Sequence, residues 1–144
     1  MAWVRCCGGS ADSKEYLYNN GVFSESFDNP GSYVMGGETV TAWTVLGDRL
    51  QGTNSSHQII GTASTINASL YSSIRINAKV TQGALRIFIG NTKNYDNSSK
   101  RTDCTDIGVT KDYTMDISDQ TGNIYIGFLS SISARCEIYE IWLE

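Results

Sequence analysis

The stretch SSIRINAKV alternates without a break. Ile74, Ile76, Ala78 and Val80 fall on one side, and Ser73, Arg75, Asn77 and Lys79 on the other. A period of two marks a strand with one face in a core and the other in water, whereas an amphipathic helix would need apolar residues three and four apart. The pattern recurs in ALRIFIG, where Leu85, Ile87 and Ile89 point inward and Arg86 and Phe88 outward. It recurs again in NIYIGF, with Ile124, Ile126 and Phe128 inward and Tyr125 outward. The last apolar run, RCEIYEIWLE, departs from it: Ile138 and Ile141 are three apart, so both reach a core only if a bulge intervenes near Tyr139-Glu140.

Between these runs the turn signals are dense. Asn19-Asn20-Gly21 predicts a type I′ hairpin between two very short strands within Tyr16 to Phe23. Pro30-Gly31 breaks the chain between Ser24 and Gly37, and Thr39 to Leu46 and Arg49 to Thr53 read as strands around Gly47-Asp48. His57 to Thr62 is another strand. In TMDISDQTGNIYIGF the polar cluster Asp119 to Gly122 sits between β-favouring residues, which reads as strand, tight turn, strand and as scaffold. No segment has a helical period. With 14 glycines, one proline and 10% aromatic residues, the chain is expected to be all-β. About nine or ten strands and one long polar loop, Asn91 to Asp106, would form a two-sheet antiparallel β-sandwich of the jelly-roll type. Residues 1–14 read as an N-terminal arm and 15–144 as a single domain, long enough at this length to build its own core.

Charge and cysteine usage narrow the function classes. Eleven basic against 15 acidic residues give a net charge of −4, which argues against a nucleic-acid or anionic-membrane partner held by phosphate contacts. The head MAWVRCCGGS lacks the apolar region of a secretory signal, so the chain is expected to be made in the cytoplasm. A reducing cytosol weighs against a disulfide framework and leaves the sequons at Asn54, Asn67 and Asn97 without meaning. Adjacent Cys6 and Cys7 would close a strained ring, and a bond between Cys104 and Cys136 would need the fold to bring them together. With the lone His57 these cysteines show no zinc spacing.

INASLYSSIRINAKV, MDISDQTGNIYIGF, the terminal EIYEIWLE and the early YLYNNG resemble the C-terminal jelly-roll domains of tail-associated proteins from phages and prophages of Gram-positive gut bacteria. The resemblance covers Tyr16 to Glu144 as an order of elements. It implies a module akin to carbohydrate-binding modules, attachment to bacterial cell-surface glycans, and a virion-associated protein released by lysis. The head WVRCCGG lies outside it.

Glycan binding needs an aromatic surface for the sugar's C–H face and fixed polar groups for its hydroxyls. One candidate is the wet sheet face, where Arg75, Asn77, Arg86, Phe88 and Tyr125 would lie together if their strands are neighbours. Against it stands the reading that a covering loop or a second subunit hides Phe88. The other candidate is a loop rim containing Trp43 and Tyr95, with Tyr33, Asn94 and Asp96, although a tryptophan after VTA also suits a core plug. Asp96, Asp103 and Asp106 in NTKNYDNSSKRTDCTD are hard-oxygen ligands for a calcium ion, a cofactor common among carbohydrate-binding jelly rolls. The missing D-x-D-x-D-G spacing and the intervening Lys100 and Arg101 favour a solvated loop. No nucleophile elbow is present and the carboxylates are scattered, so no enzyme is expected. The expected function is non-enzymatic binding of a bacterial surface polysaccharide; the alternative is a structural virion module making protein contacts in a homo-oligomer such as a trimer.

Overall fold

The computed structural model describes residues 14–25, 27–28, 32–53 and 56–144. Cys6, Cys7, Asn54, Pro30-Gly31 and all of the expected N-terminal arm except Lys14 lie outside the described residues. The fourteen strands of the described residues, numbered in chain order, make two seven-stranded sheets packed face to face. The first runs β12 (Thr110–Asp116), β9 (Ser73–Gln82), β14 (Arg135–Leu143), β1 (Glu15–Asn19) and β2 (Val22–Phe23). Beyond β1, β14 also pairs with β6 (Leu50–Gly52), which carries β5 (Thr44–Val45). The second runs β11 (Lys100–Cys104), β10 (Leu85–Gly90), β13 (Asn123–Ser130), β7 (His57–Thr62) and β3 (Phe27–Asp28). To it are added β8 (Ile66–Asn67) on β13 and β4 (Val40–Thr41) on β7. All pairings are antiparallel except β4 with β7. The all-β sandwich expected from the alternation is therefore the fold.

The inward residues of both sheets form one core. Ile76 from β9, Ile87 from β10 and Ile126 from β13 are all fully buried in the same cluster. The bulge in β14 falls where the spacing requires it: the register shifts between Ile138 and Glu140, so Ile138 opposes Ala78 and Ile141 opposes Ile76 on the core side. At the β1–β2 hairpin, Asn19 pairs with Val22 across Asn20 (φ 46°) and Gly21 (φ 105°), the two positive φ values of a type I′ turn.

Three expectations change. The strand read across Thr39 to Leu46 is two strands in different sheets, β4 in the second and β5 in the first. Trp43 plugs the crossing, with its Nε1 donating to the carbonyls of Gln58 (3.2 Å) and Phe128 (3.1 Å). The strand, tight turn and strand read around Asp119 to Gly122 are present, but the turn joins β12 to β13, which belong to different sheets, so the two strands do not pair with each other. A turn signal is local; it fixes the reversal and leaves the pairing partner open. The polar stretch Asn91 to Asp106 holds a 3₁₀ turn (Tyr95–Asn97) and the edge strand β11, whose register with β10 runs from Leu85–Cys104 to Ile89–Lys100. An edge strand half in water can be written in Lys, Arg, Thr and Asp. Finally, Cys104 and Cys136 are free, buried thiols, so the disulfide is not made. Burial, above all, pushes Cys104 up to about 12 and Cys136 up to about 11.

Candidate functional site: the open face of the first sheet

The two outer faces differ in what lies on them. On the second sheet, Phe88 of β10 stands opposite Gly127 of β13, which stands opposite Gly61 of β7. Tyr33 and Tyr95 close over Phe88, at centroid distances of 5.9 and 5.0 Å and nearly edge to face, and Ile59 and Leu129 complete a second apolar cluster. The covering segments are tied together, Val34 N–H donating to Lys93 O (3.0 Å) and Tyr95 N–H to Val34 O (2.9 Å). Phe88 is thus covered by the chain's own loops, and it offers no surface to a second subunit.

This separates the residues expected to lie together. Arg86 and Tyr125 belong to the roofed sheet. Arg86 donates to both carboxylate oxygens of Asp103 and, at 2.6 Å, to the Tyr95 hydroxyl, and these partners raise its pKa further. Tyr125 packs against the second cluster with Lys93 Nζ over its ring. Arg75 and Asn77 lie on β9, in the other sheet, facing the opposite way. Trp43 and Tyr95 are 2% and 4% exposed, so neither is a platform for a sugar. The three aspartates considered for calcium are not gathered. Asp96 sits in the 3₁₀ turn, Asp103 holds Arg86, and Asp106 accepts from Lys111 Nζ at 2.5 Å; among the described residues no group of three His, Cys, Asp or Glu side chains could hold a metal.

Among the described residues, no segment covers the outer face of the first sheet. Register places its side chains in three cross-strand rows. One runs Thr114, Arg75, Trp142, Tyr16; the next runs Asp112, Asn77, Glu140, Asn19; the third runs Thr110, Lys79, Glu137, Gln51, Thr44. All of them are exposed or half-buried except Trp142, 2% exposed. Trp142 is the base of the first row. Lys14 Nζ lies 4.2 Å from its ring, Arg75 Cζ 5.6 Å, and the Tyr16 ring is tilted against it at 6.1 Å. Arg75 is held between Asp112 (3.6 Å) and Glu144 (3.5 Å), and Asn77 Nδ2 donates to Asp112 Oδ1 at 3.0 Å. The bulge turns Tyr139 outward as well, its hydroxyl donating to Glu137 Oε1 (3.1 Å), while Arg49 Nε donates to Glu137 Oε2 (2.7 Å). At the end of the third row a cavity of about 440 Å³ is lined by Gln51, Thr53, Thr81, Arg135 and Glu137, with Gly52 and Cys136 between them.

Tyr16 and Tyr139 are thus the half-exposed rings of the face, and amide, carboxylate and guanidinium groups stand at fixed positions beside them. Sequence reasoning found Arg75 and Asn77 by alternation but missed Tyr16, Tyr139, Gln51 and Glu137. The bulge it placed at Tyr139-Glu140 was the signal that could have brought out Tyr139. The rest depends on β1 and β6 sharing one edge of β14, which no local pattern encodes.

No family model matches the sequence, and no curated protein is similar to it. Solved structures with the same fold include family 29 carbohydrate binding modules. A mutant of one, CBM29-2, superposes with a TM-score of 0.60 at 12% identity, over 92% of this chain and 91% of that chain. Another mutant of that module, complexed with cellulohexaose, gives 0.59 at 13% identity (91% and 89%), and a third, complexed with mannohexaose, gives 0.58 at 12% (91% and 90%). At such identities the likeness is one of fold.

Proposed function

We propose that this protein is a non-enzymatic module that binds a carbohydrate chain across the open face of its first sheet. The observation that carries this reading is the pairing of half-exposed Tyr16, on its Trp142 base, with the fixed polar groups of Arg75, Asn77 and Asp112, within an otherwise polar face that no loop of the described residues roofs. An aromatic ring takes the sugar's apolar face, and preset amide and charged groups take its hydroxyls with little ordering cost. The fold likeness supports it: neighbours of the same fold are complexed with cellulohexaose and mannohexaose. In its finer form the ligand is a bacterial cell-surface polysaccharide and the module part of a phage tail, supported by the resemblance of the strand words. Of the sequence candidates, Arg75 and Asn77 carry the binding.

The test is titration calorimetry with cellohexaose, mannohexaose and purified Gram-positive wall polysaccharides, on the wild type and on Asn77→Ala. Saturable binding by the wild type, weakened in the variant at unchanged melting temperature, is the expected result. Absence of binding to every glycan would remove the function, and binding indifferent to Asn77 would remove the site.

A further inference from the structure

Most charges on the open face are already compensated. Arg75 is shared by Asp112 and Glu144, and Arg49 is held by Glu137 and Asp48. Both oxygens of Glu137 are engaged, one by Arg49 and one by the Tyr139 hydroxyl. Lys14 lies on the Trp142 ring, and two further cations have no partner of either kind among the described residues. Neither Lys79 nor Arg135 makes an ion pair or side-chain hydrogen bond with a described residue. They stand at the same end of the face. Lys79 lies between Thr110 and Glu137 in the third row, and Arg135, two residues before Glu137 on β14, lines the 440 Å³ cavity with Gln51, Thr53, Thr81 and Glu137 itself. Its volume falls within the roughly 300–1,000 Å³ of small-ligand sites. The cavity is rimmed by an amide, two hydroxyls and the Glu137 carboxylate, whose two oxygens Arg49 and Tyr139 already occupy, so on a chain of net charge −4 the Arg135 guanidinium, paired with no described residue, is the charge this cavity has to offer.

Resting on the proposed carbohydrate binding, we infer that this cavity receives an anionic sugar residue, its oxyanion substituent held by Arg135 and Lys79. A guanidinium offers two parallel N–H donors to a planar carboxylate or to a phosphate, and the ammonium adds a point charge. Gln51, Thr53 and Thr81 are left for the ring hydroxyls. The cavity lies about 20 Å along β14 from Tyr16, at roughly 3.3 Å per residue, so one extended chain can engage the ring at one end and the cations at the other.

The experiment compares cellohexaose, hexagalacturonate and poly(glycerol phosphate) as ligands of the wild type, Arg135→Gln and Lys79→Gln, at low and high salt. The wild type should bind one of the two anionic ligands about tenfold more tightly than cellohexaose, and the preference should shrink at high salt. Preference for hexagalacturonate identifies a carboxylate, preference for the polymer a phosphate. Arg135→Gln should abolish the preference while leaving cellohexaose binding and the melting temperature unchanged, and Lys79→Gln should reduce it severalfold. Equal affinity for charged and neutral ligands, or a preference that survives Arg135→Gln, overturns the anionic assignment and leaves carbohydrate binding standing. Failure to bind any of the three, or any neutral glycan, overturns both.

Discussion

At the centre of the second sheet two glycines, Gly61 and Gly127, face each other across β7 and β13; at the centre of the first, the outward pair across β9 and β14 is Asn77 and Glu140. The glycines leave a trough. An ideal Cβ on Gly127 would lie 2.2 Å from Phe88 Cζ, and one on Gly61 would lie 2.5 Å from Tyr33 Cζ and 2.6 Å from the carbonyl of Ile126. Rings fill the places that side chains would have taken, the Tyr33 hydroxyl donates to the carbonyls of Thr62 and Ile126, and the loops that bring these rings seal the face. The amide and carboxylate of the first sheet admit no such ring and stay wet. Absence of a side chain on one face produces a second core; presence of polar side chains on the other keeps a surface free for a ligand.

The comparison breaks most readily at Phe88. Phe88→Ala should cost about 3–5 kcal/mol of stability in urea unfolding, as expected for an aromatic residue in a packed core. A loss under about 1 kcal/mol would mean the roof is loose and the two faces are alike. Gly127→Ala tests the same contact from beneath: its Cβ overlaps the Phe88 ring, so about 1–3 kcal/mol should be lost to overpacking, and melting temperature reads it directly. On the first sheet the effects move from stability to affinity. Tyr16→Ala should weaken carbohydrate binding about tenfold, near 1.4 kcal/mol, with a smaller change in stability because its ring is half-exposed. The smallest effects sharpen the contrast most. Asn77→Ala should lower affinity severalfold while stability stays within about 0.5 kcal/mol. Tyr125→Ala, on the roofed side, should do the reverse and cost about 1 kcal/mol of stability with unchanged affinity.

Much of this fold was legible because burial writes itself into alternation. Ile74 to Val80, Leu85 to Ile89 and Ile124 to Phe128 each name their inward face, and the three-residue gap from Ile138 to Ile141 names the bulge. Sheet membership was not legible. β9 and β10 follow one another in sequence and lie in different sheets, so Arg75 and Arg86, which look like neighbours on one wet face, point away from each other on opposite sides of the molecule. The roof was half legible: Phe88 among polar residues signalled that something must cover it, but Gly61 and Gly127 look like ordinary strand glycines until their register makes them neighbours. Tyr16 was hidden because its place on the open face comes from its contact with Trp142, more than a hundred residues away in the chain.

The two core cysteines have a practical consequence. Cys104 and Cys136 are almost fully buried and hold their protons up to about pH 12 and 11, so in the folded protein they are neither reachable nor nucleophilic at neutral pH. The unfolded chain frees both near the usual thiol value. Stability tied to them is therefore complete below about pH 9 and falls as the pH rises beyond it, by about 1.4 kcal/mol per thiol for each further unit up to the folded value. At neutral pH the same difference makes them a clock. In a chain with Cys6 and Cys7 changed to Ser, the rate at which a thiol reagent labels the remaining two would time the opening of the sandwich, and a bound glycan would slow it in proportion to its grip.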